Sequence, residues 1–492
     1  MPEEISNIKF SGITDDSRTV KKGDIFFAVK GTRCNGIEFR DEAIKKGAAG
    51  VIECSRKDLA RFASDFYGAP SKKVKVIGIT GTNGKTTISY LLEHIFRTAG
   101  YKSGVIGTIA HKWGSNVIEA KNTTPGAIEL QRILCEMAKD GVKYCAMEVS
   151  SHSLDQDRVL GIDFKAAVFT NLTGEHLDYH KTLENYLQAK AKLFSALKPA
   201  RTAILNLDDE NAKRIAKATS AKILTYGINS KADICADEIK FGLEGSEFVI
   251  RIKKGKEGNI RRDKSLFKVT SPLVGNYNVY NILAAAAVAL NERIKPDIIR
   301  RAVLEFRGAE GRLEAVPADR GIKIFVDYAH TDNALENVLT ALKPLAKKRI
   351  ITVFGCGGDR DKFKRPRMGK VASRLSDYVV ITSDNPRSEE PSLIAREIER
   401  GIEKGFRSYE VILDRFEAIR SAIAKAQAGD IILIAGKGHE KYQIVGDKIL
   451  PFSDKEAVET ILVGANLCVR PNNNGPTHRS APTTMGNKEC FI

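Results

Sequence analysis

The sequence predicts an α/β protein of three domains, and three observations point there. The chain has 492 residues, and at about 100–200 residues per domain that length suits three units. An apolar strand at 74–79 runs through a glycine-rich turn into an amphipathic helix, which is the opening of an α/β nucleotide-binding unit. After about residue 310 the strand–helix alternation begins again, as a second doubly wound unit requires.

The elements follow in order. In a first domain, residues 1–73, the run Asp24-Ile25-Phe26-Phe27-Ala28-Val29 is a strand, 41–46 is helical and Gly50-Val51-Ile52 is another strand. Residues 67–73, Tyr-Gly-Ala-Pro-Ser-Lys-Lys, are rich in turn and basic residues and read as a linker. A central domain covers 74–309. Its helix begins near Thr86 and places Ile88, Leu91, Leu92, Ile95 and Phe96 on one face. Strands at 144–149, 166–170 and 202–205 extend a parallel sheet, and 233–269 reads as antiparallel strands with a charged hairpin or loop over 253–264. In a third domain, 310–463, strands at 323–326, 349–354, 378–382, 410–413 and 430–434 alternate with helices. Residues 464–492 turn rich in Pro, Asn, Ser and Thr and are expected to form a disordered tail.

Composition excludes several classes. Apolar residues at 42% and charged residues at 28% are an ordinary globular balance. The excess of 78 Lys+Arg over 61 Asp+Glu, +17, attracts anions such as nucleotides and phosphorylated metabolites. The basic residues are spread out, with no basic arm or zinc-finger pattern, and aromatic content is 7% with one Trp, so no nucleic-acid partner is expected. The longest apolar run, 282–290, is far short of the ~20 residues that cross a bilayer, so no membrane association is expected. Met1-Pro2-Glu3-Glu4 lacks a basic-then-apolar signal, and the eight cysteines form no C-x-x-C pair; both fit a reducing cytoplasm.

The sharpest chemical signal is Thr80-Gly81-Thr82-Asn83-Gly84-Lys85-Thr86-Thr87. Glycines let backbone N–H groups approach phosphates, and the helix N-terminus adds a favourable dipole. Lys85 would reach the terminal phosphates and the Thr86 hydroxyl would ligate Mg²⁺. The strict phosphate-loop pattern wants glycine at position 79, where Ile79 stands, so this loop is a variant. Met147-Glu148-Val149-Ser150-Ser151-His152 ends a strand of the same sheet, where Glu148 could hold a cation; alone it would read as a salt-bridged carboxylate. Asn171-Leu172-Thr173-Gly174-Glu175-His176-Leu177-Asp178-Tyr179-His180 gathers acids and histidines in one loop, suited to metal or phosphate contacts or to plain polar decoration. Lys190, in a helical run, would by itself be an ordinary surface lysine.

Together these segments resemble the Mur ligase family, the ATP-dependent amide-bond synthetases of bacterial cell-wall assembly. The signature is visible as residues 80–87, 147–152 and 176–180, Asn278 and Asn281, Gly311-Arg312, and Asp327-Tyr328-Ala329-His330, and it spans about 14–463. Asp384-Asn385-Pro386-Arg387, Gly355-Cys356-Gly357-Gly358-Asp359-Arg360-Asp361 and Gly436-Lys437-Gly438-His439-Glu440 look most like the branch that adds meso-2,6-diaminopimelate to UDP-N-acetylmuramoyl-L-alanyl-D-glutamate. The resemblance implies an N-terminal α/β domain for the uridine nucleotide, a central phosphate-loop domain with a parallel sheet for ATP, and a C-terminal Rossmann-like domain for the amino acid. The expected reaction forms an acyl phosphate and then the amide, and a monomer is expected.

The resemblance also assigns residues. Gly81, Thr82, Asn83, Gly84, Lys85, Thr86, Thr87, Asn281, Arg312, Asp327 and His330 would hold ATP. Asp15, Ser17, Thr32, Arg33, Cys34, Asn122, Thr123, Thr124, Ser150, Gln156 and Arg158 would hold the UDP-muramoyl-peptide. Arg360, Asp384, Asn385, Pro386, Arg387, Gly436 and Glu440 would hold diaminopimelate; Arg387 offers a fork to the distal carboxylate and Glu440 an acid to the distal ammonium. Lys85, Glu148, His176 and Lys190 would be catalytic. Mg²⁺ would sit on Thr86, Glu148, His176 and Lys190, the last carbamylated by CO₂ to N6-carboxylysine. One departure stands out: the family commonly shows Thr-Pro-Asp after the histidine, whereas this chain has Thr331-Asp332-Asn333. The same fold adding L-lysine, and a module that hydrolyses ATP without making an amide, are the competing readings.

Overall fold

Parallel strands buried on both faces need helices on each side, and the chain builds three such sheets in succession. The computed structural model describes residues 8–31, 35–253 and 266–467. Thr32-Arg33-Cys34, most of the expected charged hairpin, and the tail from 468 lie outside the described residues. The first sheet holds β1 (Gly12–Thr14), β2 (Asp24–Val29) and β3 (Gly50–Cys54), all parallel. In β2, Ile25, Phe26, Phe27 and Ala28 are buried, and Phe27 packs on Phe62 of the helix Arg56–Phe66. Ser55 caps that helix by accepting from the Asp58 amide. The expected linker contains a single tight helical turn, Pro70–Lys72.

The second sheet has eleven strands: β4 (Lys75–Thr80), β5 (Ser103–Ile106), β6 (Ala110–Trp113), β7 (Asn116–Glu119), β8 (Tyr144–Glu148), β9 (Phe164–Phe169), β10 (Thr202–Asn206), β11 (Lys222–Gly227), β12 (Ile234–Gly242), β13 (Gly245–Ile252) and β14 (Leu266–Ser271). Their order is β14-β13-β12-β11-β10-β9-β4-β8-β5-β6-β7. The parallel core runs from β12 to β5 and adds β5 and β11 to the expected strands; β12, expected to be antiparallel, pairs parallel with β11 and antiparallel with β13, and antiparallel strands extend the sheet at both margins. β4 lies at the centre between β8 and β9, so the loops leaving all three open into one crevice. The helix Lys85–Thr98 buries Ile88, Leu91, Leu92, Ile95 and Phe96, the five residues of the expected face. Behind it the helix Asn276–Asn291 is buried nearly all round, which explains the apolar run 282–290: it is a core helix.

The third sheet holds β15 (Glu314–Val316), β16 (Lys323–Asp327), β17 (Ile350–Phe354), β18 (Tyr378–Ile381), β19 (Tyr409–Val411) and β20 (Ile431–Ala435), in the order β15-β16-β20-β17-β18-β19. Only β15 runs antiparallel. The strand expected at 410–413 stops at Val411 because Asp414 already caps the next helix. A hairpin of β21 (Tyr442–Val445) and β22 (Lys448–Pro451) follows. The last helix, Asp454–Leu467, runs past 463, so the tail expected from 464 begins too early; Ala465 and Leu467 are good helix formers and continue the turn.

Candidate active site

The glycine turn after β4 does what its composition requires. Gly81 (φ 147°) and Gly84 (φ 91°) occupy backbone conformations that side chains disfavour. A Cβ on Gly81 would strike the Thr170 hydroxyl, and one on Gly84 would strike the Asn281 amide. Asn281, buried and bonded to Asn278 (3.0 Å), therefore packs directly on the loop. Lys85 folds back to donate to the carbonyls of Gly81 (2.9 Å) and Thr82 (2.8 Å), and burial pushes its pKa down.

Glu148 and Thr86 meet in the crevice. The Thr86 hydroxyl donates to Glu148 Oε2 (3.0 Å), Thr108 donates to the same oxygen (3.0 Å), and the Thr108 amide donates to Oε1 (2.9 Å). Thr108, at the end of β5, was missed in the sequence; its position after a parallel strand beside β8 was the available signal. The polar chain continues outward. Thr108 bonds Thr123 (3.1 Å), Thr124 donates to the Glu148 carbonyl (2.9 Å) and accepts from the Ser150 amide (3.1 Å), and Arg158 donates to the Thr124 carbonyl (3.1 Å) and to Gln156 (2.6 Å). Asp15, just after β1, lies within electrostatic reach of Arg158. Asn122 is exposed at the same rim. Ser17 differs: its buried hydroxyl is committed to Glu42 (2.7 Å).

Lys190 is not a surface lysine. It is 1% exposed, its Nζ donates to the Gly81 carbonyl (2.9 Å) and lies 4.3 Å from the centre of the Tyr186 ring. Burial first, and the Lys85 charge second, push its pKa well below the usual lysine range. Glu175, which the sequence left inside a polar loop, faces His176 at 4.0 Å. Burial opposes its ionisation, but His176, Lys85, His330 and Lys190 together hold its pKa down. The His176 imidazole is held down to about 4 by partial burial and by the nearby cations His152, Lys85 and Lys190, against the pull of Glu175. Among the described residues no group of three or more His, Cys, Asp or Glu is arranged to hold a metal by itself. Thr86 and Glu148 nevertheless offer two adjacent hard oxygens, the donor type that suits Mg²⁺ when phosphates and water complete the shell.

The third sheet reaches into this crevice. Arg312 Nη2 donates to the Thr86 hydroxyl (3.2 Å), with its guanidinium 4.9 Å from the centre of the Tyr328 ring. Asp327, at the end of β16, accepts from the amides of Leu313 (2.6 Å) and Ala329 (2.7 Å), so it shapes the Arg312 turn. His330 bonds the Tyr328 carbonyl (2.9 Å). The missing proline after it does not disrupt the turn, because Thr331 caps the helix Asp332–Leu342 by accepting from the Ala334 amide. Asn333 accepts from Asn83 of the phosphate loop (3.2 Å) and from Thr173 (3.4 Å), an inter-sheet contact the sequence did not reveal.

The remaining loops cluster at the carboxyl ends of β17, β18 and β20. Arg387 (φ 52°) is half-buried and donates to the Gly358 carbonyl (2.8 Å), and the hairpin fixes its backbone through Ile444 and Gly446. Arg360 is exposed beside Gly357. A Cβ on Gly436 would meet the Asp384 carboxylate at 2.8 Å, so that loop lies directly against Asp384. Glu440 is already engaged: Asn385 (2.8 Å) and the fully buried Lys437 (3.0 Å) both donate to it, and Lys437 also donates to Asn385 (3.1 Å) and lies 3.8 Å from Asp384. Lys437 was quoted in the motif but given no role; nothing in a Gly-Lys-Gly turn distinguishes a buried lysine from a solvated one.

Comparison with known proteins points to one family. Models of the Mur ligase family, catalytic domain, the Mur ligase middle domain and the Mur ligase, glutamate ligase domain match residues 9–86, 79–289 and 311–438. The chain is 43% identical over 472 residues to a UDP-N-acetylmuramoyl-L-alanyl-D-glutamate–2,6-diaminopimelate ligase of Caldanaerobacter subterraneus subsp. tengcongensis, covering 93% of this chain and 95% of that one. It is 43% identical over 477 residues to the ligase of the same name from Bacillus velezensis, with the same coverage. A solved structure of a ligase of that name superposes with a TM-score of 0.66 at 35% identity, covering 93% and 95% of the two chains. A MurF from Acinetobacter baumannii, at 18% identity and a TM-score of 0.63, shares the fold.

Proposed function

The chain belongs to the Mur ligase family, and on that premise we propose that it couples ATP cleavage to amide formation between UDP-N-acetylmuramoyl-L-alanyl-D-glutamate and meso-2,6-diaminopimelate in peptidoglycan precursor synthesis. The observation that carries the reading is the unbroken polar path from Thr86 through Glu148 and Thr108 to Thr123, Thr124 and Arg158, which runs from the glycine turn to within electrostatic reach of Asp15 in the first domain. Segments 1–73, 74–309 and 310–463 serve the uridine nucleotide, ATP and the amino acid in turn.

A carboxylate is a poor acyl donor because its leaving group would be oxide. Its oxygen attacks the γ-phosphorus of ATP, the bond to ADP breaks, and an acyl phosphate forms. The diaminopimelate amine then adds to the carbonyl carbon, loses a proton, and phosphate departs as the amide forms. The work lies in positioning and in balancing charge on the transferring phosphoryl group. Lys85 turns from the Gly81 and Thr82 carbonyls to the phosphates, and Arg312 adds a second cation from the third sheet. Thr86 and Glu148 would hold Mg²⁺, which supplies charge neutralisation at the phosphate oxygens. Lys190, its pKa pushed down by burial, gives up its proton more readily than a free lysine, and the amine so formed adds to CO₂, releasing a further proton and leaving a carbamate. That anion removes the repulsion between two buried ammonium groups beside the Gly81 carbonyl. Arg387 and Arg360 receive the distal carboxylate, and Glu440 with Asp384, net of the Lys437 charge, leaves one negative charge for the distal ammonium.

The test is phosphate release from ATP and the UDP-linked dipeptide with a panel of amino acids. Meso-diaminopimelate should support the fastest turnover. Faster turnover with L-lysine would overturn the substrate, and release indifferent to the amino acid would overturn the ligase reading.

A further inference from the structure

The loops 384–387 and 436–440 leave β18 and β20, which are not neighbours: β17 lies between them. No ladder hydrogen bond can therefore set the distance between the two loops. The loops meet through Asn385, Glu440 and Lys437, and one side chain outside both ties their roots together. Arg415, the first residue of the helix Arg415–Lys425, is 1% exposed. Its Nη1 donates to the carbonyl of Ser383 (3.2 Å), the residue before Asp384, and its Nη2 donates to the carbonyl of Ala435 (3.0 Å), the residue before Gly436. Asp454, fully buried at the start of the last helix, takes the remaining edge through Nε (2.7 Å) and Nη2 (2.8 Å). The cation also lies within electrostatic reach of Asp384 and Glu440.

Burying two charges is a poor way to gain stability, since well-packed apolar residues of similar volume serve as well or better. What this pair adds is geometry. A guanidinium is a flat fork with fixed angles, so once one edge is locked on a carboxylate its other N–H groups point in set directions. Here they point at the two carbonyls from which the substrate loops spring.

We propose that Arg415, locked by Asp454, is a positioning residue that fixes the separation of the roots of the two diaminopimelate loops; this rests on the assignment of those loops above. The experiment measures KM for each of the three substrates in Asp454→Asn and Arg415→Lys, with Asp430→Asn as the control. Asp430 is an equally buried acid, paired with Arg349 (2.7 Å) at the opposite end of the same sheet. In both test variants KM for meso-diaminopimelate should rise about tenfold or more, as misplacement of a binding group demands, with KM for ATP and for the UDP-linked dipeptide within about twofold of wild type. Asp430→Asn should lower the melting temperature without moving any KM. An unchanged KM for the amino acid in either folded variant, or a parallel rise in all three, overturns the proposal. So does failure of both variants to fold, which would make the pair a folding element only. The same panel on wild type separates the two layers. If another amine is preferred, the loop assignment fails, and the KM split measured with that amine still decides the role of Arg415.

Discussion

Glu148→Gln separates charge from shape at the centre of the site. The carboxylate is fully buried and accepts three hydrogen bonds, one from the Thr108 amide and two from the Thr86 and Thr108 hydroxyls. In the variant, the amide oxygen keeps the Thr108 N–H. The new NH₂ faces two hydroxyls, each of which can rotate to accept. Three charge-assisted bonds become three neutral ones, at about 1 kcal/mol lost for each hydroxyl contact, so stability falls by ~2 kcal/mol at most. Gly107 lies so close to Glu148 that even a Cβ there would clash, which leaves the amide no room to move aside. Activity should fall far more. Removing a preorganised charge from a phosphoryl-transfer site costs about 100–1,000-fold. Steady-state phosphate release across a Mg²⁺ titration, with a thermal melt on the same sample, reads both quantities. Turnover within about threefold of wild type at ordinary Mg²⁺ would refute the placement of Glu148 beside the transferring phosphoryl group.

Three further outcomes follow from the geometry. Lys190→Ala should cut turnover about 100-fold or more and abolish any dependence on dissolved CO₂, and a rate that still falls when CO₂ is stripped from the variant would place the dependence elsewhere. Arg387→Met should raise KM for meso-diaminopimelate by about 30-fold or more, the scale of one truncated charge pair, while L-lysine, lacking the distal carboxylate, is affected little; equal effects on both amino acids would contradict the fork. Glu389 is held down to about 2 by its hydrogen bonds to Arg365 (2.9 and 3.0 Å), aided by Lys362. A depressed carboxylate contributes stability that is present above its unfolded value near 4.5 and lost as pH falls toward 2. The melting-temperature gap between wild type and Glu389→Gln should therefore shrink between about pH 5 and pH 2, and a gap independent of pH would show that Arg365 does not set it.

What could be read from the sequence, and what could not, divides along a physical line. Periodicity located the helix Lys85–Thr98 and its five core residues because burial of one face forces a 3.6-residue repeat. Glycine located the phosphate turn because only a residue without Cβ tolerates the approach of Thr170 and Asn281. Both signals are local. The contacts that tie the site together are not. Lys190, taken alone, reads as a surface lysine, and Lys437 carries no role in its motif, since nothing nearby in the chain announces the Gly81 carbonyl or the Asn385–Glu440 pair that these buried side chains meet in space. Asn333 drew notice only as a departure from a pattern, yet it links the phosphate loop to the third sheet. Arg415 and Asp454 lie 39 residues apart and outside every motif. A motif marks atoms that touch substrate, because those are constrained by chemistry at fixed spacing. The groups that hold a motif in place are constrained by distance in the folded chain, and many spacings satisfy that equally. Predictions aimed at Glu148 or Arg387 therefore test what the sequence announced, whereas the KM split at Arg415 tests a relation that exists only once β17 has been inserted between β18 and β20.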